Sequence, residues 1–117
     1  MAHNFKELQI WKKSRVFCSK IYNATSRFPE SEKFGLTNQL RRASISIPSN
    51  IAEGSSRNSD KDFSRFLQIT LGSAYEIETQ LLIAKDLNFI KEEELMELLN
   101  ELNSIVKMTS KFKSTLK

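Results

Sequence analysis

Apolar residues recur with the 3.6-residue period of an α-helix over four long segments, and this repeat constrains the fold more than any other feature. The segments cover about residues 6–27, 33–54, 59–88 and 91–113. The links between them are short, and short links between helices of similar length favour antiparallel neighbours. The sequence therefore predicts an all-α, antiparallel up-down-up-down four-helix bundle that occupies residues 1–117 as a single domain.

Local residues mark where these helices begin and end. The Phe28-Pro29 pair should end the first helix, because a residue that precedes proline avoids the helical conformation. Gly54 is placed to close the second helix. Ser59 is a good N-cap for the third, since its hydroxyl can accept a hydrogen bond from a free backbone amide in the first turn.

Pro48 stands in the interior of the second segment, where a proline usually costs about 3 kcal/mol. It removes one backbone donor and leaves the carbonyl four residues earlier, that of Ser44, without its normal partner. The hydroxyls of Ser44, Ser46 and Ser49 are close enough in sequence to satisfy freed backbone groups. We therefore predict a helix that is kinked at Pro48 but continues past it.

The second helix is also apolar on a second face. Ile45 and Ala52, with Pro48 beside them, point away from the core stripe that contains Leu40 and Ile47. One interpretation is a contact with another subunit through Ile45, Pro48 and Ala52. The other is a core stripe that is locally wide, and the sequence does not decide between the two.

Three stretches, "FKELQIWKKS", "LTNQLRRASISIPSNIAEGSSR" and "FSRFLQITLGSAYEIETQLLIA", resemble the bacterial four-helix bundle proteins encoded in intervening sequences of 23S rRNA genes. The accessory protein of diversity-generating retroelements is related to that family. The resemblance implies an antiparallel bundle and a ring-shaped homopentamer. For the retroelement branch it further implies association with a reverse transcriptase and nucleic acid.

The residues needed for catalysis or metal binding are nearly absent. The only histidine, His3, is expected in a frayed N-terminus, and isolated glycines form no phosphate loop. The single cysteine, Cys18, excludes an internal disulfide and suits a reducing compartment. With no signal peptide and no apolar run of membrane-spanning length, the sequence predicts a cytoplasmic protein. The lack of catalytic and metal-binding residues predicts a protein that is not an enzyme and needs no cofactor.

Polar residues near the predicted core suggest an internal network. Glu78 falls within the apolar arc of the third helix, where a carboxylate requires a cationic partner. Arg41, Arg42 and Lys85 are candidate partners, and a structural ion pair is favoured over an acid–base or metal role. The residues assigned to this network are Arg41, Arg42, Asn50, Glu53 and Glu78.

Basic residues give the strongest functional hint. Residues 1–28 carry six Lys or Arg and one Glu, and residues 107–117 carry four Lys and no acid. In the predicted topology the start of the first helix, the end of the fourth and the loop between the second and third share one end of the bundle. An acidic end at residues 30–32 and 92–94 lies opposite. The candidate phosphate-binding residues are Lys12, Lys13, Arg57, Lys107, Lys111, Lys113 and Lys117.

Two interpretations of this basic end remain open. It could bind the phosphate backbone of RNA or of a nucleoprotein without reading bases, or it could be ordinary solubilising charge on a protein that scaffolds other proteins. The family resemblance favours the first.

Overall fold

The computed structural model describes residues 3–117, and within that range every regular element is helical. The all-α prediction is therefore confirmed for the described part of the chain. The long helices are α1 (Gln9–Thr25), α2 (Leu36–Ser55), α3 (Asp60–Asp86) and α4 (Glu92–Ser114), and single 3₁₀ turns lie at Phe5–Glu7 and Glu30–Glu32.

Each long helix packs against two others. α1 contacts α2 and α4, and α3 also contacts α2 and α4, an arrangement compatible with a four-helix bundle. The apolar faces meet in one core, which includes the fully buried side chains of Ile21, Leu40, Ile47, Leu67 and Leu81. The molecule is elongated, about 45 Å long and 24 by 20 Å across.

Three helix ends can be compared with the local signals, and α2 runs through Gly54 and ends at Ser55. The Ser59 hydroxyl accepts a hydrogen bond from the Asp62 amide (3.1 Å), so its role as N-cap of α3 is confirmed. α1 starts later than expected because Leu8 has extended backbone angles and separates it from the first 3₁₀ turn. α2 begins at Leu36, whose amide donates to the Glu32 carboxylate at 3.1 Å.

Pro48 lies inside α2, and the helix continues for seven residues beyond it. The carbonyl of Ser44, which lacks its normal amide partner, accepts a hydrogen bond from the thiol of Cys18 on α1 (2.9 Å). The serine hydroxyls do not provide this bond, contrary to expectation. Ser44 and Ser46 instead donate to the carbonyls three residues before each of them. A side chain of the neighbouring helix thus replaces the lost backbone donor.

The small residues of α2 allow α3 to approach closely. A Cβ added to Gly54 would lie 2.7 Å from the Cβ of Phe66 and 2.9 Å from a ring carbon of Phe63. The hydroxyl of Ser46 contacts that of Ser73 on α3. Larger side chains at these positions would push the two helices apart.

The N-terminal segment packs at the end of the bundle where α2 ends and α3 begins. The His3 amide donates to the Ser55 carbonyl at 3.0 Å. Its ring lies 5.1 Å from the Phe63 ring and 5.8 Å from the Phe112 ring, measured between centroids. The expectation of a frayed segment at His3 is therefore wrong, because the aromatic cluster gives this ring an apolar surface to cover.

Candidate functional site

The exposed face of α1 is cationic. No acidic residue occurs between Gln9 and Thr25, and Lys12, Lys13 and Arg15 are all exposed. Among residues 3–117 none of these three forms an ion pair, whereas Lys20, farther along α1, bonds the Glu101 carboxylate. The N-terminal half of α1 therefore presents uncompensated positive charge to solvent.

The adjoining part of α4 extends this charge. Lys107 and Lys111 are exposed, and neither forms an ion pair within the described chain. Lys111 borders a depression that Gln9 and Ile10 of α1 also line, so it lies next to the start of α1. Lys113 is half-buried and offers less of its side chain to a ligand.

A groove separates α1 from α4 beside these lysines. Its volume is about 430 Å³, within the range of about 300–1,000 Å³ that small-molecule sites occupy. Lys12 and Lys13 line it from α1, and Asn100, Glu101 and Ser104 line it from α4. The groove therefore combines cationic, polar and apolar lining in one place.

Two of the predicted cation-bearing residues have contacts with α2 or α3, through the Arg57 side chain and the Lys117 backbone. Arg57 pairs with Glu53 at 2.9 Å, and its guanidinium carbon lies 4.8 Å from the centre of the Phe66 ring. The Lys117 amide donates to the Asp60 carboxylate at 3.1 Å, and its side chain is exposed. These contacts place Arg57 and Lys117 beside α3, whereas the unpaired lysines lie on α1 and α4.

The predicted internal polar network does not form. Glu78 is exposed, so the expectation that it lies in the core is wrong. Tyr75 and Leu82, which flank it on the same line of α3, are exposed as well, and this line therefore runs along the rim of the core. Glu53 is exposed and pairs with Arg57, while Arg42 is exposed without an ion pair among the described residues.

The other two members of the set bind the backbone. The Arg41 side chain donates to the Thr25 hydroxyl at 2.8 Å and to the Tyr22 carbonyl at 3.3 Å, and it covers the Tyr22 ring. It thus satisfies carbonyl and hydroxyl groups at the C-terminal end of α1. The Asn50 amide donates to the Ser46 carbonyl at 2.8 Å.

The residues assigned to a subunit contact differ in exposure. Ile45 is 44% exposed, and Pro48 and Ala52 are half-buried. Ile69 and Ile83 of α3 are also 43% exposed. Ser46 and Ser73 touch, so their neighbours Ile45 and Gly72 lie near the boundary of the two helices.

Two titratable side chains depart from their ordinary behaviour. Burial raises the pKa of the Cys18 thiol, against a smaller lowering by Ser44. The hydrogen bond to Glu101 raises the pKa of Lys20. Cys18 is thus held as a neutral thiol in a structural role.

The described residues include no cluster of three or more His, Cys, Asp or Glu side chains that could hold a metal ion. Within residues 3–117, no helix has the length and apolar character needed to span a bilayer.

Sequence reasoning missed two residues of the α1–α4 face. Arg15 was not assigned, although it follows the Lys12-Lys13 pair by one helical turn, and its guanidinium carbon lies 5.4 Å from the centre of the Trp11 ring. Glu101 was also missed, although it pairs with Lys20 and so links α4 to α1. Helical spacing could have identified Arg15, but the position of Glu101 depends on how α4 aligns with α1.

Comparison with known proteins places this architecture in a family. A solved structure of a protein of unknown function from the S23 ribosomal protein family of Bacteroides thetaiotaomicron VPI-5482 is similar, with a TM-score of 0.83 and 28% sequence identity. The match covers 89% of this chain and 97% of that chain. No curated protein matches the sequence significantly. The family model of the 23S rRNA-intervening sequence protein matches residues 6–111, so the chain belongs to the 23S rRNA-intervening sequence protein family.

Proposed function

We propose that this protein is a non-enzymatic, oligomeric four-helix bundle that binds the phosphate backbone of RNA or of a nucleoprotein through its α1–α4 face. The observation that carries the proposal is the set of exposed, unpaired lysines on two adjacent helices: Lys12 and Lys13 on α1, and Lys107 and Lys111 on α4. Each phosphate that a lysine neutralises releases condensed counterions, and this release favours binding.

The proposal includes an antiparallel order of the four helices. Its support comes from pairs of contacts that run in opposite directions along neighbouring helices. Arg27 and Lys20 of α1 reach Glu94 and Glu101 of α4, respectively. Between α2 and α3, Gln39 contacts Gln80 and Ser46 contacts Ser73. Between α1 and α2 the contacts are Cys18–Ser44 and Thr25–Arg41. Between α3 and α4 they are Phe63–Phe112 and Lys85–Glu92. A kink of α2 at Pro48 is part of the same proposal.

Self-association, with five subunits as the leading expectation, would repeat the lysines around a ring and strengthen weak phosphate contacts. Exposed Ile45 supports a contact through α2, because burial against another subunit would remove its apolar surface from water. Ile45→Glu should reduce the mass that the protein shows in solution. A wild-type monomer at micromolar concentration would contradict the proposed oligomer.

We further propose that the protein acts in the cytoplasm. Its free thiol, Cys18, is consistent with a reducing compartment.

The test compares RNA affinity at two salt concentrations for wild type and two charge variants. Lys12→Glu combined with Lys107→Glu should abolish binding, and the affinity of the wild type should fall steeply as salt increases. The control combines Lys33→Glu with Lys91→Glu, which changes net charge equally but lies near the opposite helix ends. No binding by the wild type at low salt, or equal loss in both variants, would overturn the proposal.

A protein scaffold is the second candidate function, and the exposed apolar side chains of α2 and α3 favour it. Ile45, Ile69 and Ile83 could cover a partner protein as well as another copy of this chain. If the wild type fails to bind RNA yet still forms an oligomer, this second function becomes the better account.

A further inference from the structure

The groove between α1 and α4 has an apolar interior beside a cationic rim. Phe17 and Ile105 are buried beneath it, and Val16, which is 56% exposed, forms part of its wall. Lys12 and Lys13 stand at the same groove. This pattern fits a ligand that joins a negative charge to an apolar surface.

The polar side of the groove narrows the choice of ligand. Asn100, Glu101 and Ser104 form this polar side, and a carboxylate oxygen of Glu101 bonds Lys20 there. An acyl chain would cover these polar side chains without offering them a hydrogen-bond partner, which is costly. A nucleobase offers both a flat apolar face and N–H donors along its edge.

We infer that this groove receives an unstacked base of single-stranded nucleic acid, with the neighbouring phosphates held by Lys12 and Lys13. The inference rests on the proposed function, and it adds that the preferred substrate is single-stranded. The base lies against Val16 and donates an N–H to Glu101. A duplex keeps its bases stacked and can supply only the phosphates.

The test measures affinity for a single-stranded RNA oligonucleotide and for a perfectly paired duplex of equal charge. Ser104→Phe fills the groove without changing charge. Asn103→Phe is the matched control, because Asn103 lies one residue away on α4 and lines a different depression, between α3 and α4. Ser104→Phe should weaken single-strand binding at least tenfold and leave duplex binding unchanged, while Asn103→Phe should change neither.

A second variant keeps the inference testable if Ser104→Phe disturbs the fold. Val16→Asn removes an exposed apolar side chain from the groove wall without adding bulk, and it should weaken single-strand binding severalfold. Circular dichroism establishes that each variant is folded.

The outcomes separate two kinds of failure. Equal wild-type affinity for both RNAs, unaffected by Ser104→Phe and Val16→Asn, overturns the base-binding inference and leaves phosphate binding intact. No wild-type binding to either RNA overturns the proposed function as well. Selective loss of binding to an acidic peptide in Ser104→Phe, with RNA binding unchanged, also overturns the inference, since the groove would then serve a protein ligand.

Discussion

Between α2 and α3 the helices approach so closely that a Cβ on Gly54 would meet the Cβ of Phe66 at 2.7 Å, whereas between α1 and α4 a groove of about 430 Å³ remains open. The first interface uses small residues and direct contact. The second uses long charged side chains, Lys20 with Glu101 and Arg27 with Glu94, that cross the boundary near the surface. The α2–α3 interface is therefore sensitive to side-chain size. At the α1–α4 interface, substitution of the charged side chains should leave the fold intact.

This difference separates structural from binding roles. Close packing leaves no space for a ligand but specifies which residues fit, so the α2–α3 interface contributes stability. The α1–α4 interface leaves apolar surface and lysines uncovered, and exposed ion pairs across it contribute little free energy. Variants of each interface should therefore differ in how strongly they change the free energy of unfolding.

The largest effect is expected from Gly54→Leu. The new side chain would overlap Phe63 and Phe66, so the variant should lose about 3 kcal/mol of unfolding free energy. Urea denaturation monitored by circular dichroism measures the loss. An unchanged midpoint would mean that α2 and α3 can separate at no cost, and the contrast between the interfaces would disappear.

The next effect concerns the link between α1 and α2 at Pro48. Cys18→Ala removes the donor to the Ser44 carbonyl and should cost about 1–2 kcal/mol. In a Pro48→Ala background an amide again serves that carbonyl, so the same substitution should cost less. Unfolding free energies of wild type, both single variants and the double variant measure the coupling. Strict additivity would show that the thiol does not replace the lost amide.

Gly72→Ala tests the outer side of the tightly packed interface. A Cβ at this position would meet no atom within 4 Å, and alanine is favoured over glycine inside a helix by about 1 kcal/mol. Thermal or urea unfolding should show a gain approaching that size. A loss of stability that grows with protein concentration would instead reveal another subunit packed against Gly72.

Arg27→Ala tests the open interface, where the exposed pair with Glu94 should contribute only about 0.5 kcal/mol. High salt should reduce the difference in unfolding free energy between the variant and the wild type, because salt screens surface charges. A loss as large as that of Gly54→Leu would show that the α1–α4 interface depends on this ion pair.

The smallest effect is a dependence on pH. Because the pKa of Lys20 is raised in the folded protein, its pair with Glu101 stabilises the fold below the unfolded-state pKa of the lysine. This contribution is lost as pH rises through the folded-state value. The free energy of unfolding of Lys20→Ala should therefore be slightly lower than that of wild type at neutral pH. The two values should converge at high pH. A difference that is constant across this range would assign the effect to packing alone.

Much of the fold could be predicted because its signals are local. Helical spacing identified the four helices, and the Ser59 hydroxyl acts as the predicted cap within one turn of sequence. The predicted starts of α1 and α2 were less accurate. Leu8 and Gly35, which precede these helices, adopt backbone angles that the apolar pattern does not encode.

The candidate site was less predictable because it depends on alignment between helices. Periodicity showed that Lys12 and Lys107 lie off the core stripes, but not that a groove separates α1 from α4. The same limit explains Glu78: a helical wheel gives the direction of a side chain only relative to its own helix, and the neighbouring α4 leaves that side at the rim. Likewise, only the α1–α2 alignment brings the Cys18 thiol to the Ser44 carbonyl.

The bond between the Cys18 thiol and the Ser44 carbonyl also has a consequence for the evolution of the sequence. A proline at position 48 creates a need for a donor on α1, and a donor at position 18 makes the proline tolerable. The proline is costly without the donor, but the donor is not needed without the proline, so lineages that carry Pro48 should retain a donor at position 18. Chains of the family that carry another residue at position 48 should be free to place any small apolar side chain at position 18.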